Sequence, residues 1–309
     1  MKLSYRWFAL AFVLPGLYCA ADEQAQPAPA APAAQDSSTD SAAAQFESSL
    51  HYKTGTINLP SGFATFTLSD RFRFLEEQDA KRLLVQAWGN PPDAVTDVLG
   101  MILRSDAGPL DRDGWGVVVT YKKDGYVKDD DAAAIDYDKL LKEMQEASEE
   151  GNAERRKQGY STVQIAGWAE RPFYDAAAHK LYWAKELRFS DAPESTLNYD
   201  IRVLGRHGVL SLNAVAGMRQ LQTVKTDMQE VLGFTEFSAG HRYTEFNSST
   251  DKVAAYGVAA LVAGGVAAKM GLFAKLGILL LSLKKGLMFI LAGAGALAAK
   301  FFKRDRSDS

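Results

Sequence analysis

The sequence has 309 residues, of which 47% are hydrophobic and 24% are charged, and its formal net charge is −3. This composition is typical of a folded protein of one or two domains and excludes a chain that is disordered throughout. The charge is uneven, because residues 22–252 carry −11 and residues 253–309 carry +6. An acidic body lacks the positive surface that neutralises phosphates, so we predict no nucleic-acid partner. The single cysteine, Cys19, excludes a disulfide-rich fold and a zinc site built from several cysteines.

Residues 1–21 have the pattern of a secretory signal peptide. A basic start is followed by an apolar stretch from Trp7 to Leu17 and by small residues up to Ala21. We predict cleavage after Ala21, which leaves a mature protein without cysteine. The alternative is a lipoprotein signal with Cys19 as the acylated residue, although Tyr18 is larger than the residue that such signals place before the cysteine.

The next segment, residues 22–46, is rich in Ala, Pro, Gln and Ser and has no large apolar residue before Phe46. Such a segment buries too little surface to offset the entropy of ordering it, so we predict a disordered spacer. Residues 47–252 form the globular body.

The C-terminal part of the chain predicts a membrane anchor. A helix over residues 253–274 would be about 33 Å long, enough to cross the ~30 Å apolar layer of a bilayer. A second helix over residues 286–302 places Lys284 and Lys285 at one interface, and residues 303–309 form a basic polar tail. A single span with the rest lying along the membrane, and a buried core helix of a soluble protein, are the alternatives.

Together, the signal peptide and an anchor within residues 253–302 define a topology. The lipid bilayer is the predicted partner of the anchor, in the cell membrane of a Gram-negative bacterium. The globular body, residues 47–252, is then predicted to lie in the periplasm.

The body alternates strand-like and helix-like patterns in chain order. Apolar alternation and turn residues predict strands at residues 54–59, 63–68, 98–103, 114–121, 126–127, 163–168, 179–189, 196–204 and 209–216. Helical spacing predicts helices at residues 70–88, 135–144 and 218–232. The last four strands are joined by short turns and should pair antiparallel. We therefore predict an α+β fold, a mostly antiparallel sheet (a β-meander) with flanking helices, plus C-terminal transmembrane helices.

No nucleophile elbow, phosphate loop or zinc-binding helix motif occurs in the sequence. His179 follows Asp175 by four residues and precedes Glu186 in the same predicted strand. Such a His–carboxylate set is able to perform acid–base chemistry, so these three residues are the catalytic candidates. An ordinary surface pair is the more common explanation.

A dense acidic patch precedes the second predicted helix. Asp129, Asp130 and Asp131 offer the oxygen ligands that calcium prefers, but their spacing does not match a calcium loop. Carboxylates that stabilise a helix N-terminus already account for them. We therefore predict neither a metal nor a cofactor, and these three residues remain the only metal candidates.

Aromatic residues cluster in and beside the predicted strands. Trp168, Tyr174, Tyr182 and Trp183 are candidates for a groove that binds a glycan or a peptide. The alternative, which the residue types favour, is that they fill the core of a sheet.

Several segments together resemble a known family. They are 88–92 (WGNPP), 114–118 (GWGVV), 124–131 (DGYVKDDD), 179–184 (HKLYWA), 198–206 (NYDIRVLGR) and 251–257 (DKVAAYG). Over roughly residues 54–275 the chain is similar to a bacterial family of membrane-anchored proteins, domain-of-unknown-function family 2167. The resemblance implies a Gram-negative envelope protein with a C-terminal anchor. The family has no established activity, so the resemblance implies no catalytic or ligand-binding residues.

These patterns favour a non-catalytic envelope module that binds another envelope protein or component, or assembles a membrane complex. One alternative is a hydrolase of an envelope polymer that uses the His–carboxylate set. Another is an accessory subunit of a stress-response or transport system.

Overall fold

A computed structural model of the chain describes residues 43–111 and 113–263. The predicted signal peptide, most of the predicted spacer and residues 264–309 lie outside the described residues. The described residues up to Val262 belong to one compact unit.

The described residues form strands and helices throughout. The strands are β1 (Tyr52–Lys53), β2 (Thr56–Asn58), β3 (Ala64–Thr67), β4 (Phe72–Glu76), β5 (Val98–Arg104), β6 (Gly116–Lys122), β7 (Tyr126–Lys128), β8 (Val163–Asp175), β9 (Lys180–Phe189), β10 (Thr196–Leu204), β11 (Val209–Gly217), β12 (Thr235–Phe237) and β13 (Val253–Gly257). The helices are α1 (Glu77–Arg82), which continues as a π-helical turn (Leu83–Ala87), α2 (Tyr137–Lys157), α3 (Leu221–Gly233) and α4 (Val258–Ala263).

The main sheet has eight strands in the order β1-β4-β5-β6-β11-β10-β9-β8, and every neighbouring pair is antiparallel. Two meanders, β4-β5-β6 and β8-β9-β10-β11, meet where β6 pairs with β11. A small antiparallel sheet, β12-β3-β2, and a parallel pair, β7 and β13, complete the described strands. The predicted α+β fold, dominated by an antiparallel sheet with a few helices, is confirmed.

The two faces of the main sheet are covered differently. One face packs against the small sheet and α3, and this contact forms the larger apolar core. Every second side chain along each strand contributes to this core, because successive residues point to opposite faces of the sheet. A smaller core joins α1 and its π-helical turn to the other face at β4 and β5.

Helix α2 covers the edge strand β8 on the outer side of the sheet. Asp136 is the N-cap of this helix, because its carboxylate accepts hydrogen bonds from the backbone N–H groups of Asp138 and Lys139. The buried Asn152 donates to the carbonyl of Val163 (2.9 Å) and accepts from its N–H (2.8 Å). Gln145 and Ser148 also donate to carbonyls of β8. These side chains satisfy backbone groups that an open edge leaves unpaired.

One predicted helix begins later than expected. Of the helix predicted over residues 70–88, Phe72–Glu76 is strand β4, and α1 starts only at Glu77. The reason is tertiary, because β4 pairs with both β1 and β5. Phe72 and Phe74 then point into the larger core, while Leu75 points into the smaller one.

The predicted anchor helix does not begin at Val253, so that boundary was wrong. Val253–Gly257 is strand β13, which pairs with β7, and the N–H of Tyr126 donates to the carbonyl of Lys252 (2.8 Å). Within residues 43–111 and 113–263, no helix is both long and apolar enough to cross a membrane. The rest of the predicted anchor, residues 264–302, lies outside the described residues. At the other end, residues 43–46 of the predicted spacer belong to a helical turn over residues 43–48.

Candidate functional site

Four connecting segments meet at one end of the main sheet, which we call the loop end: residues 122–131, 176–179, 205–208 and 238–252. Backbone hydrogen bonds join them, from Gly125 N–H to the carbonyl of His207 (3.1 Å) and from Arg206 N–H to that of His241 (2.9 Å). A Cβ atom on Gly125 would lie 2.6 Å from the carbonyl oxygen of Lys252, and φ at this residue is +115°. Glycine is therefore required for this close approach.

The loop end holds the predicted catalytic candidate His179. This residue closes the turn between β8 and β9 with φ of +52°, a left-handed conformation that is uncommon for a residue other than glycine. Its ring centroid lies 4.2 Å from that of Tyr243, which in turn stacks on Tyr126 at 4.3 Å. The Nδ1 atom of His179 is buried and lies 3.6 Å from Oδ2 of Asp129, beyond hydrogen-bond distance.

Asp129 is the anionic centre of this group. The hydroxyl of Tyr174 donates to its Oδ2 atom at 2.6 Å. Burial raises the pKa of Asp129, but hydrogen bonds from Tyr174 and Tyr243 outweigh burial, so the pKa lies below its usual value. Burial and the bond to Asp129 raise the pKa of Tyr174 well above that of a free tyrosine. The pair is therefore a carboxylate held by a neutral phenol at neutral pH.

A depression of about 330 Å³ opens beside His179 and Tyr243. Lys180, Glu236 and Arg242 contribute charged side chains to its lining. Among the described residues, neither Lys180 nor Arg242 forms a salt bridge, although the backbone N–H and the charge of Arg242 help to lower the pKa of Glu245. Another depression, of about 510 Å³, lies on the outer side of α1 and contains none of the candidate residues. The two cations in its lining, Lys81 and Arg82, both form ion pairs with carboxylates.

The three catalytic candidates do not form one set, because Asp175 and His179 flank the same turn and Glu186 lies far along β9. Asp175 accepts hydrogen bonds from the backbone N–H groups of the turn that follows it, at 3.0 Å each. Glu186 accepts from the hydroxyl of Ser195 at 2.7 Å, and this bond, with help from Arg188, lowers its pKa. His179 and Glu186 are seven residues apart along an extended strand, about 23 Å. The structure therefore places Asp129 beside the ring of His179, while Asp175 binds the backbone of the turn and Glu186 lies elsewhere.

The three metal candidates also have different surroundings. Asp129 binds Tyr174, as described above, and Asp130 is exposed. Asp131 accepts hydrogen bonds from the N–H groups of Val258 (2.9 Å) and Ala259 (3.3 Å), the first residues of α4. Within the part of the chain that the structure describes, no three His, Cys, Asp or Glu side chains are grouped as a metal site.

The four aromatic candidates do not line one groove. Tyr182 and Trp183 are neighbours on β9 and point to opposite faces of the sheet, with Tyr182 packed against the larger core. Trp183 is only 1% exposed. Trp168 donates its indole N–H to the carbonyl of Tyr137 at the start of α2 (3.3 Å), and Tyr174 lies at the loop end.

A second group of polar residues lies on the face of the sheet opposite the larger core. We call it the Asp200 cluster: Lys185, Asn198, Asp200, Arg202 and Asn213. Strand register brings these residues together, since Asn198 faces Lys185 on β9 and Asp200 faces Asn213 on β11. Residues that face each other across strands share one face of the sheet.

Asp200 is the centre of the Asp200 cluster and is 2% exposed. Its Oδ1 atom lies 3.0 Å from Arg202 and accepts a hydrogen bond from Asn213 at 2.8 Å, and its Oδ2 atom lies 3.2 Å from the ammonium of Lys185. Burial raises the pKa of Asp200, but the two cations outweigh burial and keep its pKa below the usual value. The carboxylate is therefore ionised at neutral pH.

Neither the Asp200 cluster nor the stacked aromatic rings of the loop end, Tyr126 and Tyr243, were predicted from the sequence. The sequence does contain a signal for the cluster, because Asp200 and Arg202 alternate with apolar residues along β10. Charged residues in a strand that lies inside the sheet indicate a polar site there. For the aromatic stack, Tyr126 and Tyr243 are 117 positions apart, and no local pattern connects them.

No curated protein matches the sequence. Among solved structures, the solution structure of cyanobacterial PsbP from Synechocystis sp. PCC 6803 is similar, with 8% sequence identity and a TM-score of 0.33. The match covers 61% of this chain and 92% of that chain. At this score the likeness supports no inference about function.

The family described as "Protein of unknown function (DUF2167)" matches residues 51–295. The matched region contains the whole main sheet, the loop end and the Asp200 cluster, and it extends beyond the segments on which the resemblance rests. The chain therefore belongs to the DUF2167 family.

Proposed function

We propose that this protein is a non-catalytic binding module of the bacterial envelope, tethered to the cell membrane by the apolar segment within residues 253–302, with its body in the periplasm. The loop end is the surface that binds another envelope protein. The observation that carries this proposal is the depression beside His179, where Lys180 and Arg242 both line the wall and neither forms a salt bridge among the described residues.

The contacts of the candidate catalytic residues also support a binding role. Asp175 and Glu186 each stabilise a local turn or hairpin through short hydrogen bonds. A general base has to reach the proton that it removes, and His179 and Glu186, about 23 Å apart along β9, do not act on one substrate bond. Cations that form no salt bridge, at the rim of a depression, instead favour association with an acidic partner and raise its on-rate.

The tether is supported by the sequence that follows the described residues. The described chain ends in α4, whose first residues are capped by Asp131 at the loop end. The sequence then continues with the long apolar stretches that predicted the anchor. Ultracentrifugation of lysed cells without detergent tests this part, and recovery of the intact full-length protein in the supernatant would contradict it. Protease digestion of spheroplasts should remove the body, whereas protection of the body would refute its periplasmic location.

The binding role is tested by crosslinking in intact cells, followed by affinity purification of the tagged full-length protein. The double variant Lys180→Ala/Arg242→Ala should lose a partner that the wild type recovers. The matched control is Arg156→Ala/Lys157→Ala, which removes two exposed cations at the far end of α2. Recovery of the same partner by the loop-end variant, or of no partner by the wild type, would contradict the proposal.

A hydrolase is the second candidate function, and one observation favours it. His179 has a left-handed backbone and a buried Nδ1 atom that faces Asp129 without a hydrogen bond. Residues in rare backbone conformations cluster at functional sites. If His179 acts as a base, His179→Ala should produce the phenotype of a gene deletion, whereas His207→Ala, a histidine of the same loop end, should not. An unchanged phenotype in His179→Ala excludes this assignment.

A further inference from the structure

The Asp200 cluster contains two cations and one anion on the sheet face opposite the larger core. The side chains of Lys185 and Arg202 are 17% and 18% exposed, and that of Asp200 is 3% exposed. Because Asp200 is ionised, the cluster carries a net charge of +1. A charge that is mostly removed from water is costly unless an opposite charge compensates it.

Hydrogen-bond donors exceed acceptors in the same place. Arg202 has five N–H donors, and its described contacts, an ion pair with Oδ1 of Asp200 and a hydrogen bond to the carbonyl of Ile201, both use one terminal nitrogen. Lys185 has three donors and an ion pair with Asp200 as its described contact. The indole N–H of Trp183 is buried and has no acceptor among the described residues, and Oδ2 of Asp200 is a buried acceptor without a hydrogen-bond donor. The N–H donors of Arg202, Lys185 and Trp183 still outnumber the acceptors that Asp200 and Ile201 offer them.

The guanidinium of Arg202 is held in a fixed orientation. Its Cζ atom lies 4.9 Å from the ring centroid of Trp183, which is buried beneath it, and Asp200 anchors one of its nitrogens. An arginine that rests on an aromatic ring and keeps free N–H groups is pre-organised for two parallel hydrogen bonds to a carboxylate or a phosphate. Lys185 lies 6.0 Å from the same ring and supplies a second positive charge.

We propose that the Asp200 cluster is a binding site for an oxyanion, a phosphate or carboxylate group, which Arg202 binds through its free N–H groups while Lys185 neutralises the remaining charge. This site is separate from the loop end and does not depend on the partner proposed there. Since both cations are partly exposed, an anion from solvent or the end group of a larger molecule is able to reach them.

The experiment uses purified full-length protein in a non-ionic detergent. Calorimetry and thermal unfolding are recorded with sodium phosphate, with sodium succinate and with phosphatidylglycerol in mixed micelles, each against chloride at equal ionic strength. Binding in at least one arm is expected, together with a rise in unfolding temperature, because a ligand that binds the folded state stabilises it. The arm that binds distinguishes a free anion from a lipid headgroup. Absence of binding in all three arms overturns the proposal.

Variants assign the binding to the cluster. Arg202→Gln should weaken it by about tenfold or more, as expected for loss of a charge-assisted hydrogen bond. Arg188→Gln removes an exposed cation on the neighbouring strand β9, which also carries Lys185, and should bind like the wild type. If Arg202→Gln does not fold, Arg202→Lys keeps the charge without the planar fork and should bind more weakly than the wild type. Equal binding by the wild type and the folded Arg202 variants overturns the proposal.

Discussion

Strand β10 presents two different surfaces on its two faces. Tyr199, Ile201 and Val203 point into the larger core, while Asp200 and Arg202 belong to the Asp200 cluster on the other face. The backbone and the hydrogen-bonded neighbours, β9 and β11, are the same for both faces. The difference therefore comes from side chains alone, and it separates what folds the protein from what we propose it binds.

The apolar face gains stability from area removed from water, at roughly 25 cal/mol per Å². The Asp200 cluster has no such gain, because desolvation of its charges offsets their attraction. A buried ion cluster is thus weak evidence for stability. Its presence inside an otherwise apolar sheet fits a site retained for binding. Four variants test this contrast, in order of decreasing expected effect.

The first variant, Ile201→Ala, truncates a side chain that is fully buried in the larger core. We expect the free energy of unfolding to fall by about 3–4 kcal/mol, since the lost transfer energy adds to the cost of a cavity. Urea unfolding measures this, and Ile201→Val is the matched control with a loss of about 1 kcal/mol. A loss below that of the control would show that the core face is not the main source of stability.

The second variant, Asp200→Asn, removes the anion of the Asp200 cluster and leaves Lys185 and Arg202 unpaired. We expect the free energy of unfolding at neutral pH to fall by about 2–3 kcal/mol, less than for a fully buried pair because both cations are partly hydrated. No loss would mean that the two cations are already compensated by groups outside the cluster.

Asp200 also predicts a pH dependence. Its pKa in the folded protein is below the unfolded value of about 3.9, so its stabilising effect is complete above that value. The effect is lost as the pH falls through the folded pKa, because protonation then favours the unfolded chain. Wild-type stability should therefore fall more steeply below pH 4 than that of Asp200→Asn. Parallel acid unfolding curves would contradict this assignment.

The third variant, Asn152→Ala, tests the cover of the sheet's outer edge. It leaves the N–H and carbonyl of Val163 without this side-chain partner, and we expect a loss of about 2 kcal/mol. Hydrogen exchange should increase at the start of β8 before it increases in β10. Uniform exchange across both strands would show that α2 does not protect the edge separately.

The fourth variant, Arg188→Gln, removes a cation from the exposed pair with Glu186 on β9. Surface pairs of this kind contribute little, so we expect a change below about 0.5 kcal/mol in thermal unfolding. A loss as large as that for Asp200→Asn would remove the distinction between exposed pairs and the Asp200 cluster.

The local patterns predicted most of the sheet. β10 was predicted with its observed bounds, and β9 and β11 within one residue, because their alternation and turns are encoded in short segments. Phe72–Glu76 was assigned to a helix since its charges and aromatics fit a helical spacing, and only pairing with β1 and β5 makes it a strand. Val253–Gly257 was likewise assigned to the anchor, although β7 pairs with it.

The candidate sites, unlike the strands, could not be predicted from local patterns. His179 was predicted as a candidate residue, but its neighbour in the fold, Asp129, lies 50 positions earlier in the chain and was not connected with it. The Asp200 cluster joins three strands, and only their register places Lys185 and Asn213 on either side of Asp200. Alternation and turn chemistry act between neighbours in the chain, so the α+β class could be read from them. Charges on separate strands meet only when the sheet assembles, and for that reason folding, not local sequence, sets where the binding groups lie.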